Sequence, residues 1–455
     1  MALRFGTDGV RGVAGSELTP ELVLALGRAA ARVLLPAQRA AQARGGDRFA
    51  IGRDTRRSGP VLEAALAAGL AGEGADVELL GIVPTPAVAW WSADQGIPAA
   101  VISASHNPWG DNGVKLFAAG GTKLPDDVEE RIEAELHGII GPTPRPYEAT
   151  ADVGLVHPVT EAVGGYLDHL VSTLDGRRLD GMRVVVDCAN GAASSAAPEL
   201  LRRLGVEHVD LGAEPDGRNI NDGCGSTHPE SLQRRVVEVG AEVGLAFDGD
   251  ADRVLAVDHE GGLVDGDHVI AMCAVDMAGR GFLKDRSVVV TVMTNLGFRL
   301  AMADHGIRVV ETTVGDRYVL EALDREGLSL GGEQSGHVIF RDLATTGDGL
   351  LTGVQLLDLV RRDGRPLAEL AGATMTSLPQ VLRNVRVAER GLDVGAAIGD
   401  EVAAVEAALG ERGRVLIRPS GTEPLVRVMV EAPTAEQADE AAARLVAAVE
   451  AAVGG

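Results

Sequence analysis

Short apolar runs alternate along the chain with longer stretches in which Ala, Leu, Glu and Arg recur at helical spacing. Residues 49–52, 100–102, 184–186, 243–247, 288–292 and 328–330 read as strands buried on both faces, and the stretches between them as helices packed on parallel sheets. An early helix is bounded by Thr19 as cap and Pro20 in its first turn, with the apolar stretch 22–35 ending at Pro36. The strands recur two to each third of the chain and end in polar, glycine-rich loops: Arg53-Asp54-Thr55-Arg56 and Ser105, then Asp187-Cys188-Ala189-Asn190-Gly191 and Asp248, then Thr294-Asn295 and Gly332-Glu333. Ligands of open α/β sheets sit at the carboxyl ends of strands, so three related units are expected to turn these loops toward one cleft.

The tail differs. Strands at 415–417 and 425–430 precede an Ala/Glu helix over 434–453, an α+β order. The expected architecture is three related α/β mixed-sheet domains, over 1–150, 151–258 and 259–372, and a smaller α+β domain over 373–455. The breaker-rich stretch 141–146 marks the first join.

Composition narrows the function. At 455 residues the chain is long enough for several domains, and a net charge of −24 disfavours nucleic acid, whose phosphates call for a basic face. The three cysteines, Cys188, Cys224 and Cys273, have neither zinc nor disulfide spacing, and no apolar run is long enough to span a membrane or to read as a secretory leader. A reduced, cytoplasmic protein is expected. Of 42 basic residues only Lys115, Lys123 and Lys284 are lysines, which leaves 39 arginines. A lysine in such a chain is informative, because lysine can give up its proton where arginine cannot.

Four constellations carry chemistry. An apolar strand stops at Ser103-Ala104-Ser105-His106-Asn107-Pro108, with Lys115 ten residues after Ser105 as a candidate acid or base. Asp248-Gly249-Asp250-Ala251-Asp252-Arg253 crowds three carboxylates that repel by about 4 kcal/mol per pair at 4 Å and an effective dielectric of 20, so a partly buried cluster needs a cation or a proton. Hard oxygen ligands favour Mg²⁺ or Ca²⁺, with Mg²⁺ preferred, and an EF-hand is rejected because loop position six is Arg253 and position twelve His259. Gly332-Glu333-Gln334-Ser335-Gly336-His337 offers the mixture of groups that recognises polyhydroxyl ligands. Arg418-Pro419-Ser420-Gly421-Thr422-Glu423-Pro424, with Arg427, can cradle a phosphate through guanidinium, hydroxyl and backbone N–H. No Walker loop is present, so the phosphate is expected on the serine itself.

With these motifs and the opening Phe5-Gly6-Thr7-Asp8-Gly9-Val10-Arg11-Gly12, all in order from end to end, the chain resembles the α-D-phosphohexomutase superfamily. The resemblance implies four domains around a central active-site cleft and a Mg²⁺-dependent intramolecular phosphotransferase acting on a small phosphosugar, one Mg²⁺ per site. It further implies that Ser105 carries the phosphoryl group and shares the metal with Asp248, Asp250 and Asp252, while Lys115, Arg11 and His337 surround the transfer. Glu333 and Ser335 would hold sugar hydroxyls, and Arg418, Ser420, Gly421, Thr422 and Arg427 the phosphate that is not reacting. Gln334 and the run Asn221-Asp222-Gly223-Cys224-Gly225-Ser226-Thr227-His228 are similar to the glucosamine branch. That branch interconverts glucosamine 6-phosphate and glucosamine 1-phosphate through a 1,6-bisphosphate, of glucosamine or as a glucose activator, and supplies UDP-N-acetylglucosamine for the cell wall. A phosphomannomutase/phosphoglucomutase is the alternative, ahead of an idle sugar-phosphate-binding paralogue and a hydrolase. The resemblance is compatible with a homodimer and implies neither a nucleic-acid nor a membrane partner.

Overall fold

The computed structural model describes residues 9–40, 46–141, 153–387, 394–395, 397–419 and 424–453. The chain separates into two compact units, Met1–Met293 with Ile307–Gly372 and Thr294–Gly306 with Ala373–Gly455.

Three sheets build the first unit. The first holds β1 (Val10–Val13), β2 (Arg48–Arg53), β3 (Asp76–Ile82), β4 (Ala99–Ile102), β5 (Asp111–Phe117) and β6 (Val156–Pro158), in the order β1-β5-β4-β2-β3-β6. The second holds β7 (Arg183–Asp187), β8 (Glu207–Leu211), β9 (Val243–Phe247), β10 (Val254–Asp258) and β11 (Leu263–Val264), in the order β11-β10-β9-β7-β8. The third is β13-β12-β14-β15, from β12 (Ser287–Thr291), β13 (Arg308–Thr312), β14 (Leu330–Gly332) and β15 (Val338–Phe340). Without the additions at their edges the three are one object: a first strand lies between parallel second and third strands, and an antiparallel fourth folds back on the third.

This repetition decides where chemistry falls. Ser105, the Asp248–Asp252 cluster and the Glu333–His337 run all occupy the same turn, from third strand to antiparallel fourth, in successive sheets. The loop after each first strand also repeats: Asp54 Oδ1 accepts from Arg56 N at 2.9 Å, Asp187 Oδ1 from Ala189 N at 2.9 Å, and Thr291 Oγ1 from Met293 N at 3.2 Å. Each side chain thus turns the backbone sharply as it leaves the sheet.

Two local expectations are corrected. The first helix runs Pro20–Ala40, through Pro36: Thr19 Oγ1 caps Leu22 N as expected, but the buried neighbours Leu34, Leu35 and Gln38 keep the last turn packed although proline removes one of its hydrogen bonds. The strand expected at 328–330 starts at Leu330, because Leu328 N is spent on Leu323 O in closing the helix Asp316–Glu326 behind the left-handed Gly327. β6, beyond residue 150, adds to the first sheet. The stretch 142–146 lies outside the described residues.

The second unit has the sheet β16-β18-β17, from β16 (Gln380–Arg386), β17 (Arg414–Pro419) and β18 (Leu425–Glu431), packed with the helix Ala435–Val453. The helix Leu296–Asp304, which follows β12 in the chain, belongs to this unit. Its Leu296 N donates to Glu431 Oε2 at 3.0 Å, and Asn295 Nδ2 to Leu378 O at 3.0 Å. Among the described residues no helix is long and apolar enough to cross a membrane.

The helices Pro20–Ala40 and Gly59–Gly72 cross where two glycines meet. A Cβ on Gly69 would lie 2.1 Å from Leu24 O, and one on Gly27 2.5 Å from Leu66 O. Gly69→Ala must push these helices apart and is expected to lower stability by about 1–3 kcal/mol, read as a fall in the urea midpoint.

Candidate active site

Ser105 sits at the tip of its turn with φ of 52° and is almost fully buried. A non-glycine residue holds this left-handed conformation only when its surroundings over-determine it, and here they do. Ser103 Oγ accepts from Ser105 N at 2.9 Å, and the Ser105 carbonyl accepts from Arg56 Nη2 and Asn221 Nδ2, both at 2.9 Å. The hydroxyl itself donates to Asp248 Oδ2 at 2.6 Å and lies 3.3 Å from His106 Nδ1.

Arg56 is the clamp of this loop. It is fully buried, pairs with Asp54 through Nε at 2.8 Å, and sends its remaining donors to the carbonyls of Ser105, Asn107, Asp111 and Pro108. Asp54 also accepts from Ser103 Oγ at 2.7 Å. A planar five-donor fork is the one side chain that can hold several carbonyls and a carboxylate at once.

The three carboxylates of the next turn are buried, with one oxygen of each within 4.8 Å of the others. Positive groups close in on them. Lys115 Nζ, on β5, lies 3.1 Å from Asp250 Oδ2 and 3.4 Å from Asp252 Oδ2, and His337 Nδ1 lies 3.7 Å from Asp252 Oδ1. Thr85 Oγ1 donates to Asp250 Oδ2 at 2.7 Å. Burial and the charges of Asp252 and Asp250 push Asp248 well above the usual carboxylate range. Burial also raises Asp252, but Lys115, His337 and Arg253 outweigh it and hold this group well below that range. Asp250 Oδ1 and Asp252 Oδ1 are buried and accept no hydrogen bond. Asp250 Oδ1, with no hydrogen-bond partner, and Asp252 Oδ1, which meets His337 and Arg253 only at 3.7 Å, fit a divalent cation in a triad of hard ligands, since buried acceptors are otherwise almost always satisfied.

His337 is 2% exposed and faces a second carboxylate, Asp316, whose Oδ2 lies 3.6 Å from its Nε2. Burial disfavours its charge, yet Asp252, Asp316 and Glu333 raise its pKa above the ordinary value. His106 is shifted the other way, by burial and then by Arg253 and Arg11, which disfavours charge on the imidazole beside Ser105. In the third turn, Glu333 Oε1 accepts from Gly315 N at 3.1 Å, Gln334 Nε2 donates to Asp265 Oδ2 at 3.2 Å, and Ser335 Oγ is buried without a hydrogen bond.

The structure thus brings together Ser105, Lys115, Asp248, Asp250, Asp252 and His337, and puts Arg11 on β1 opposite Gly113 of β5. Arg418 and Arg427 belong to the second unit, where β17 and β18 set them directly opposite each other. Burial and then Arg427 lower the pKa of Arg418, and an anion set between the two arginines would relieve their repulsion. Ser420, Gly421 and Thr422, and residues 5–8 of the opening motif, lie outside the described residues. Trp91 is buried with its indole N–H on Glu78 at 2.7 Å, while Trp109 is exposed beneath Arg218, so both anchor local structure.

Sequence reasoning gave no catalytic or binding role to Arg56, Thr85, Asn221, Arg253 or Asp316, although Asn221 and Arg253 lay within motifs that it singled out. Arg56 had stood within a polar loop, but nothing local distinguishes it from Arg53 and Arg57. Arg56→Met would leave Asp54 buried without its cation and take one donor from each of four carbonyls. A loss of about 3–5 kcal/mol in urea denaturation is expected, with a turnover defect that persists at temperatures where the variant is folded.

Comparison with known proteins agrees with this geometry. Family models described as phosphoglucomutase/phosphomannomutase, alpha/beta/alpha domains I, II and III and C-terminal domain match residues 2–140, 164–262, 265–378 and 382–448. The phosphoglucosamine mutase of Symbiobacterium thermophilum is 54% identical over 439 residues, 95% of each chain, and that of Frankia alni 54% identical over 457 residues, covering 100% of this chain and 99% of its own. A phosphoglucomutase/phosphomannomutase family protein of Burkholderia thailandensis superposes with a TM-score of 0.80 at 27% identity, over 99% of this chain and 98% of that one. Aspergillus fumigatus N-acetylphosphoglucosamine mutase, solved with GlcNAc-6P and magnesium, shares the fold at a TM-score of 0.70 and 19% identity, over 100% and 96% of the two chains. A buried serine on a carboxylate triad, three repeated sheets and full-length similarity lead to one conclusion: the chain belongs to the phosphoglucomutase/phosphomannomutase family.

Proposed function

We propose that this chain interconverts glucosamine 6-phosphate and glucosamine 1-phosphate, with Ser105 as the residue that carries the phosphoryl group. The observation that supports this most directly is the Ser105 hydroxyl, held in a left-handed turn at 2.6 Å from Asp248 beside Lys115 and His337. The choice of glucosamine rests on the relatives named above. The product supplies UDP-N-acetylglucosamine for cell-wall synthesis.

Phosphorylated Ser105 transfers its group to O1 of glucosamine 6-phosphate. The new O–P bond forms as the Oγ–P bond breaks, giving a 1,6-bisphosphate, which turns over and returns its 6-phosphoryl group to Ser105. One proton leaves the sugar hydroxyl and one is needed at Oγ. The proton lost by the sugar hydroxyl, which Lys115 beside the triad stands to take up, balances the one that Ser105 Oγ gains when its bond to phosphorus breaks. Asp248, Asp250 and Asp252, with Ser105, would hold Mg²⁺, which supplies positive charge at the phosphoryl oxygens. Arg11 and His337 add cationic groups about the same centre. Glu333 and Ser335 are the hydroxyl ligands of this reading, and Arg418, Ser420, Gly421, Thr422 and Arg427 bind the resting phosphate. A phosphoserine carries about −1.5 to −2 charges, so these cations are what lets an anionic sugar approach a chain of charge −24.

A coupled assay of glucosamine 1-phosphate formation, with Mg²⁺ and catalytic glucose 1,6-bisphosphate, tests the reading. Ser105→Ala is expected to be inactive. Lys115→Arg keeps the charge and is expected to lose about 10²–10⁴-fold in kcat, the usual worth of an acid–base group. Comparable turnover on mannose or glucose phosphates would move the chain to the other branch of the family. Mg²⁺ should raise the melting temperature, since a ligand at 100 times its Kd adds about 2.7 kcal/mol, and Asp250→Asn should abolish that shift.

A further inference from the structure

Asp316 has entered so far only through its charge on His337, yet it is placed beside both His337 and the loop that holds Glu333. The peptide that leads into it hydrogen-bonds through Gly315 N to Glu333 Oε1 at 3.1 Å, and its carboxylate faces His337 Nε2 at 3.6 Å. That nitrogen and Ser335 Oγ are both buried without a hydrogen bond. Buried polar atoms left unsatisfied on one loop are groups waiting for a partner. Asp316 is also already an ammonium receptor: Lys123 Nζ lies 2.5 Å from its Oδ2.

The identity of that cation matters. The chain has 39 arginines to three lysines, and the adjacent Arg317 spans Asp126, Glu129 and Glu321. An arginine opposite Asp316 would grip both carboxylate oxygens in a fixed fork. A lysine is a point charge on a flexible stem that can share or yield one oxygen to a second ammonium. Asp316 keeps a partly accessible side chain, 15% exposed, so a ligand can reach it.

We propose that Asp316 recognises the C2 ammonium of the amino sugar, and that Lys123 is the cation which this ammonium joins or displaces. The inference rests on the glucosamine reading above and names the residue that enforces it. A neutral hexose phosphate offers a hydroxyl at C2, which leaves the Lys123–Asp316 pair in place and gains nothing from the carboxylate. An N-acetylated sugar is also uncharged there and is disfavoured for the same reason.

The test is the ratio of kcat/KM for glucosamine 6-phosphate to that for glucose 6-phosphate, measured at pH 7 with Mg²⁺. In Asp316→Asn the ratio should fall at least tenfold, chiefly through a higher KM for the amino sugar. In Lys123→Gln, which removes the competing ammonium, the ratio should hold or rise. Equal losses on both sugars in Asp316→Asn would overturn the proposal, and if that variant does not fold, a lowered ratio in Lys123→Gln would do so. A wild-type enzyme with no preference for the amino sugar would instead overturn the glucosamine reading itself, so the two failures are distinguishable.

Discussion

Three carboxylates buried within 4.8 Å of one another are the constraint on which the rest of the first unit depends. Their repulsion is too large to leave uncompensated in a low-dielectric interior. The chain answers it by drawing Lys115 from the first sheet and His337 from the third onto Asp250 and Asp252, while Asp248 is left to accept from the Ser105 hydroxyl. The need to balance one acidic turn thus draws three repeated sheets together at the same point. Two carboxylate oxygens still accept no hydrogen bond, which leaves room in the balance for a divalent ion.

Repetition explains why three chemically different turns converge. Each sheet ends its third strand and reverses into an antiparallel fourth, and each reversal needs residues that tolerate left-handed backbone: Ser105, Ala251 and Gly336 supply them at φ of 52°, 58° and 89°. The first of these is bulky enough to demand support, and Arg56 with Asn221 provides it. A Cβ on Gly249 would lie 2.5 Å from Ser105 O, so the metal turn can approach the serine turn only because that position is glycine.

Much of this was legible in the sequence, because strand ends and the Ser-His-Asn-Pro and Asp-Gly-Asp-Ala-Asp runs are local patterns. Lys115 stood out through the scarcity of lysine. The same argument applies to Lys123, but only its neighbour Asp316, 193 positions on in the chain, shows why. Arg56 and Asn221 act on a loop 49 and 116 residues away, contacts that no periodicity records. The helix through Pro36 and the late start of β14 were misjudged because packing and helix closure overrode local propensity. The inclusion of Leu296–Asp304 in the second unit likewise depends on a buried Glu431, far along the chain.

The central claim is that the Oγ atom of Ser105 carries the phosphoryl group between the two ends of the sugar. Peptide mass mapping of the purified protein after incubation with Mg²⁺ and glucose 1,6-bisphosphate, before and after addition of excess glucosamine 6-phosphate, tests it directly. The account predicts one phosphoryl group on the Ser105 peptide that is lost to the sugar when glucosamine 6-phosphate is added. A phosphoryl group on another residue, or one on Ser105 that the sugar does not remove, would contradict it.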